Sequence, residues 1–255
     1  MSDPIQHLLS CRGVVKRYGA LAAVNGVDFQ VRPGERVGVG GPNGAGKTTF
    51  FDLISGLTAL SEGEILFRGR NIVGLAPHRL CHLGMARTFQ LNSAFDGMSV
   101  FDNVLAARVY GRRSAGGWLI THRQDREATR ALLADIGLEA IAHDKAAGIP
   151  TLARKKLMVA TALINEPDMV LLDEPVGGLT PSEVDAFIDW MLALKASGMT
   201  LIFVEHVMRF LTSVADRAVM MHQGEFIYDG LPTGLAENET VASVYLGSSG
   251  LEAAS

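Results

Sequence analysis

Three stretches of this chain hold four to six mostly apolar residues and then stop at polar ones: "ERVGVGG" at 35–41, "DMVLLDE" at 168–174 and "MTLIFVEH" at 199–206. Unbroken apolar runs of that length predict strands buried on both faces, the central strands of a largely parallel sheet whose C-terminal ends carry chemistry. The first third of the chain keeps a different rhythm. "LLSCRGVVKRYG", "VNGVDFQVRPGE" and "GEILFRG" alternate loosely and are broken by glycine turns, which predicts a small antiparallel sheet. Between residues 99 and 148 no convincing strand occurs; "SVFDNVLAARVYG" and "QDREATRALLADIGL" have helical spacing around the link "GRRSAGG" and predict a helical insertion. The clearest helix spans 182–197. Thr180 is placed to cap it, Pro181 opens its first turn and Glu183 closes a capping box; Val184, Phe187, Ile188, Met191 and Leu192 share one face, and Gly198 stops it.

Composition narrows the classes. With 255 residues, the chain is long enough for one large α/β domain with a sizeable core. The net charge of -4, with no long single-sign block, gives no support to a nucleic-acid partner, which would ask for a strongly basic face. A membrane-spanning helix needs about 20 apolar residues in a row, and the runs "MVLL" and "TLIFV" stop far short of that. The start, "MSDPIQHLLSCRG", lacks a basic segment followed by an apolar one, so it does not read as a signal peptide. Two cysteines, Cys11 and Cys81, are too few for a disulfide framework and suit a reducing compartment. The expectation is a cytosolic chain.

"GPNGAGKTT", residues 41–49, fits G-x-x-x-x-G-K-[ST] and lies between the apolar strand "ERVGVGG" and the helical "TTFFDLISGL". Gly44 and Gly46 let the backbone curl so that successive N–H groups face phosphate oxygens at the positive end of a helix. Lys47 adds a mobile full charge, and Thr48 offers a hydroxyl to a Mg²⁺ bridging the outer phosphates. The candidate nucleotide contacts are Asn43, Gly44, Ala45, Gly46, Lys47, Thr48 and Thr49. A second strand ends in Asp173 and Glu174, and phosphoryl chemistry has a separate task for each: Asp173 for the Mg²⁺ shell, Glu174 to polarise the attacking water. Loop and acidic pair together indicate nucleotide hydrolysis. His78, Cys81 and His82 in "PHRLCH" also have a spacing that could hold a metal, but no fourth ligand is evident.

Tyr18 in "KRYGA", the glycine loop, Gln90 in "ARTFQ", "LLDEP" and His206 in "VEHVM" follow one another at spacings that resemble the ATP-binding subunit of an ABC transporter. The resemblance covers nearly the whole chain. "GMARTFQLNSAFDGMSVFDNVLAA" and "ASVYLG" are similar to the subunits that power uptake of branched-chain amino acids and related small polar substrates. It implies an α/β P-loop NTPase of the ABC type: a RecA-like core with an antiparallel β subdomain and an inserted α-helical subdomain. Residues 1–91 and 149–231 would form the core, 92–148 the helical subdomain, and 232–255 a C-terminal helix and tail. It further implies that Tyr18 stacks on adenine, Gln90 senses Mg²⁺ and the γ-phosphate, and His206 contacts the γ-phosphate and orients the water. Taken singly, Tyr18 also fits a half-buried loop aromatic, Gln90 a surface amide and His206 a core histidine at a strand end. The implied partners are a transmembrane permease at the cytoplasmic face of the inner membrane, a second ATPase chain and, indirectly, a substrate-binding protein. The apolar residues Leu91, Phe95 and Met98 would receive a cytoplasmic helix of the permease. "GRRSAGGWLITHR", with Arg112, Arg113 and Trp118, reads as a solvated loop, with contact to lipid or partner as the alternative.

One stretch departs from the family. Where ABC ATPases carry a Ser-Gly-Gly-Gln-like turn that contacts the partner's ATP, residues 149–154 read "IPTLAR". Pro150 supplies neither hydroxyl nor N–H, Leu152 puts a side chain where backbone must approach the ligand, and Ala153 removes an amide. A helix can still start here, and Arg154, Lys155 and Lys156 would keep positive charge nearby. Thr180 stands where the family more often has Asp or Asn. The expectation is an ATPase that pairs with a different chain carrying an intact signature. The alternatives are a regulatory subunit with weak turnover and the ATPase of a lipopolysaccharide-type exporter.

Overall fold

The computed structural model describes residues 7–88, 94–111, 121–194 and 198–244. At its centre lies a six-stranded sheet in the order β10-β9-β3-β8-β7-β6. Its strands are β3 (Arg36–Gly40), β6 (Met85–Arg87), β7 (Met169–Asp173), β8 (Thr200–Val204), β9 (Arg217–His222) and β10 (Glu225–Gly230). All pair in parallel except β10, which returns antiparallel to β9. The three apolar runs become β3, β7 and β8, and every residue in them is buried, as strands covered on both faces require. Val204 at the end of β8 pairs with both Val39 and Asp173, so the C-terminal ends of the three strands meet at one edge.

The second sheet is antiparallel, with β1 (Leu9–Tyr18), β2 (Leu21–Val31), β4 (Glu62–Phe67) and β5 (Arg70–Asn71) in the order β2-β1-β4-β5. Between the two sheets runs α1 (Lys47–Ile54), whose Phe50, Phe51 and Ile54 are fully buried. Phe29, Phe50 and Phe226 meet edge to face at 5.4–5.6 Å and lock β2, α1 and β10 together.

The other face of the central sheet is covered by α6 (Pro181–Ala193) and α7 (Met208–Val214), with Phe187, Met191, Phe210 and Leu211 at its core. Each such side chain contributes about 1.5–3 kcal/mol on burial. Thr180 and Glu183 form the expected capping box, the Thr180 backbone N–H donating to Glu183 Oε2 at 2.9 Å. A separate helical cluster joins α3 (Val100–Tyr110), α4 (Arg123–Asp135) and α5 (Thr151–Leu163) through Val104, Leu133 and Leu157. The link with Arg112, Arg113 and Trp118 falls outside the described residues.

β6, β9 and β10 add to what the sequence pattern predicts. The β9–β10 hairpin turns through Gln223 and Gly224, both at positive φ (50° and 84°), the left-handed pair that a two-residue hairpin loop needs. Its tip does structural work at the glycine loop. Gly224 N–H donates to Ala45 O at 2.9 Å, and Gly224 O accepts from Asn25 N–H at 2.9 Å. No described helix is long and apolar enough to cross a membrane.

Candidate active site

The glycine loop leaves β3 and enters α1 with φ of 142° at Gly41, 77° at Gly44 and 106° at Gly46. Gly41 and Gly46 are required twice over, because an added Cβ would lie 2.2 Å from Met221 O and 2.2 Å from Ala23 O respectively. At Gly44 the space is open, so only the left-handed backbone demands glycine. Gly46 is the N-cap of α1 and no side chain caps the helix, which leaves the first-turn N–H groups to an anion. Asn43, Gly44 and Thr48 are exposed, Thr49 is half-buried and Ala45 is buried beneath them. Lys47 is buried and folds over the loop, its ammonium donating to Gly41 O at 2.7 Å and Pro42 O at 2.8 Å. Burial pulls its pKa down, and the Glu174 and Asp173 carboxylates oppose that pull. Lysine and acidic pair therefore share one electrostatic site.

Asp173 ends β7 with 3% of its surface exposed. Its Oδ2 accepts from Arg87 Nη2 at 3.0 Å, while Oδ1 is buried with no hydrogen-bond partner. Arg87 reaches Asp173 from β6 and also donates to Asp52 at 2.7 Å and Ser55 at 2.7 Å, on and beside α1. Burial raises the Asp173 pKa, against the hydrogen bond and charge of Arg87. An orphaned carboxylate oxygen that shares the field of Lys47, the residue before the exposed Thr48, fits a divalent cation of the kind that oxygen ligands prefer. Gln90, the third residue assigned to that ion, lies outside the described residues. Sequence patterns gave no sign of Arg87, because its role depends on β6 pairing beside β7.

Glu174, one residue on, has a left-handed backbone at φ 47°, an unusual conformation for a side chain of its size. Three contacts hold it there: its N–H donates to Val204 O at 3.0 Å, and its carbonyl accepts from Gly177 N–H and from Lys155 Nζ, both at 3.2 Å. His206 follows β8 at the same sheet edge with its side chain 58% exposed, which excludes a core role. Tyr18 closes β1, 51% exposed, with Lys16 Nζ 4.8 Å from its ring centroid. Its half-exposed ring suits stacking. Phe95 is exposed and Met98 half-buried, while Leu91 is outside the described residues. Cys81 and the two histidines near it lie on α2 (Pro77–Leu83), and among the described residues no cluster of His, Cys, Asp or Glu could hold a metal.

The segment 149–154 does start a helix. Pro150 is the N-cap of α5, at φ -56° and ψ 151°, and no side chain caps it. Leu152 packs against the core under α6, and Ala153 against the helical cluster. The neighbouring cations turn inward rather than out to a ligand. Arg154 donates to Ala146 O at 2.8 Å and pairs with Asp96, Lys155 reaches the Glu174 carbonyl, and Lys156 lies 5.4 Å from the Trp190 ring centroid.

With the geometry in place, sequence comparison finds that the family model described as ABC transporter matches residues 24–177. The high-affinity branched-chain amino acid transport ATP-binding protein LivG of Escherichia coli K12 is 33% identical over 97% of this chain and 99% of its own length. BraF of Pseudomonas aeruginosa, of the same description, is also 33% identical over the same shares. Among solved structures, the ADP conformation of the ATP-binding cassette MJ1267 superposes with a TM-score of 0.86 at 27% identity, covering 94% of this chain and 99% of that one.

Proposed function

This chain belongs to the ABC transporter family as an ATP-binding, ATP-hydrolysing cassette, and from that premise we propose that it powers uptake of branched-chain amino acids or related small polar substrates. The relatives named for that transport match it end to end, which supports the reading. The chain works at the cytoplasmic face of the membrane with permease subunits, and a substrate-binding protein delivers cargo to the assembly. Phe95 and Met98, with Leu91, receive a cytoplasmic helix of the permease.

In its own site, Asn43, Gly44, Ala45, Gly46, Lys47, Thr48 and Thr49 cradle the phosphates and Tyr18 stacks on the adenine. Thr48, Gln90 and Asp173 hold Mg²⁺, which neutralises charge on the outer phosphates. Glu174 takes the proton of the attacking water, and His206 orients that water and contacts the γ-phosphate. The Asp173 oxygen that lacks a partner, set beside Lys47, is the observation that carries this assignment. Glu174→Gln should lower kcat about 100- to 10,000-fold, the range for removing a general base, while ATP binding persists. Turnover at the parent rate in the assembled complex would overturn the role.

The second ATPase chain is a different protein with an intact signature. Two copies of this chain would each present Pro150, Leu152 and Ala153 to the other's ATP, with Leu152 and Ala153 half-buried against their own cores. Paired with an intact partner, the site on this chain's glycine loop hydrolyses while the opposite site mostly holds ATP. ATPase should be low for the isolated chain and rise when the partner is added. Robust turnover by the chain alone would refute the pairing.

A further inference from the structure

Glu205 precedes His206 and is completely buried, yet nothing assigned above uses it. A buried carboxylate needs compensation, and the hydrogen bonds that this one accepts come from two separate loops. Its Oε1 accepts from Val176 N–H at 2.9 Å, and its Oε2 from His206 N–H at 3.0 Å and Val207 N–H at 3.2 Å. Val176 lies two residues beyond Glu174, in the turn that leads to Gly177 and Gly178. His206 and Val207 form the loop after β8. Lys155 of α5 supplies the opposite charge: its pKa is pulled down by burial and pushed up by Glu205 and Glu174, while its ammonium is bonded to the Glu174 carbonyl.

We propose that Glu205 is a positioning residue for hydrolysis, a single carboxylate that ties the backbone behind Glu174 to the backbone of His206 so that the two are set as a unit. The proposal rests on the roles given to Glu174 and His206. Both ends of the tie are main chain, so the geometry is insensitive to side-chain rotamers. Lys155 adds a third anchor from the signature helix, on the Glu174 carbonyl. The left-handed Glu174 is thereby held from β8, from α5 and, through Val176, from Glu205.

Glu205→Gln separates this tie from simple packing. The amide has the shape and reach of the acid but only one acceptor oxygen, so its NH2 must face either the Val176 N–H or the His206 and Val207 pair. One loop is released while the volume is kept. In the transporter complex purified through this chain, kcat should fall roughly 10- to 100-fold, the scale on which losing an orienting hydrogen-bond partner acts, with ATP affinity of the isolated chain unchanged. In a His206→Ala background the same substitution should cost clearly less than in the parent, because one of the two residues that the tie sets is gone. A Glu205→Gln kcat equal to the parent, or a loss that multiplies in full with that of His206→Ala, overturns the proposal. His206→Ala alone reports on the underlying reading, since parent-level turnover there would remove the role of His206 itself. Should Glu205→Gln fail to fold, amide hydrogen exchange in the parent decides: Val176, His206 and Val207 should share one protection factor, and independent exchange of the two loops defeats the tie.

Discussion

Helices α1 and α5 both begin without a side-chain cap, and their free ends have opposite fates. Around the start of α1, Gly41, Gly44 and Gly46 strip the backbone of side chains, Lys47 folds onto the loop carbonyls and Thr48 is exposed. At the start of α5, Pro150 replaces a donor, and Leu152 and Ala153 face into their own chain. Both ends carry the same positive dipole. The difference is therefore not the helix but what surrounds it: a phosphate site needs backbone that nothing else covers. The α5 helix persists because Leu157, Met158, Val159 and Ala160 are buried, and that apolar face is indifferent to what the N-terminus binds.

The contrast can be pressed hardest on the α1 side, through its charges. Arg87→Met should destabilise the chain by about 3–5 kcal/mol, because it strands Asp173 as a buried charge without its partner; thermal or urea unfolding measures it, and a loss under 1 kcal/mol would mean that the α1 end is no more tightly built than the α5 end. Next in size is repair of α5. Pro150→Ser, Leu152→Gly and Ala153→Gln combined should raise ATPase of the isolated chain on the order of 100-fold, the scale of one restored oxyanion-type donor. It should also cost about 2 kcal/mol of stability, from lost Leu152 packing and a glycine in the first turn. No rise in turnover would show that the missing donors do not limit the isolated chain.

A subtler test uses pH. Burial holds the Asp173 pKa above its ordinary value of 3.8, so the folded chain takes up this proton more readily than the unfolded chain. That stabilisation is fully present below the unfolded-state value and is lost as pH rises through the folded one. Asp173→Asn is neutral throughout, so without added Mg²⁺ its Tm relative to the parent should climb as pH rises above the ordinary value of 3.8, and a flat difference would contradict the burial effect. Smallest of all is Pro150→Ser alone. The backbone at Pro150 already suits an N-cap serine, worth about 1 kcal/mol, and the lost restraint on the unfolded chain offsets about 0.4–1 kcal/mol. Stability should stay within about 0.5 kcal/mol of the parent.

What the sequence makes legible follows the same division. β3, β7 and β8 are legible because burial on both faces writes itself as an apolar run, and the glycine loop because its spacing has few other uses. The α6 capping box is legible because it is local. Arg87 and Glu205 are not, since each acquires meaning from a neighbour far along the chain: Arg87 from Asp173 and Asp52, Glu205 from Val176. A charged residue at the end of an apolar strand, as in "IFVEH", is the one hint available for Glu205. β6 has three residues, too few for any period to emerge. The inward turn of Arg154, Lys155 and Lys156 was hidden too; the sequence shows only positive charge near the helix start, and packing decides where they point.

The hairpin tip that grips Ala45 has a consequence for timing. The glycine loop is held in shape by protein atoms alone, through Gly224 N–H to Ala45 O, Ala45 N–H to Pro42 O, and Lys47 on the Gly41 and Pro42 carbonyls. An arriving nucleotide meets a finished cradle and has only to draw the lysine off its carbonyls. Association should thus be a matter of encounter rather than of ordering: the binding rate should rise linearly with nucleotide concentration, and differences in affinity among nucleotides should be carried by how fast each leaves.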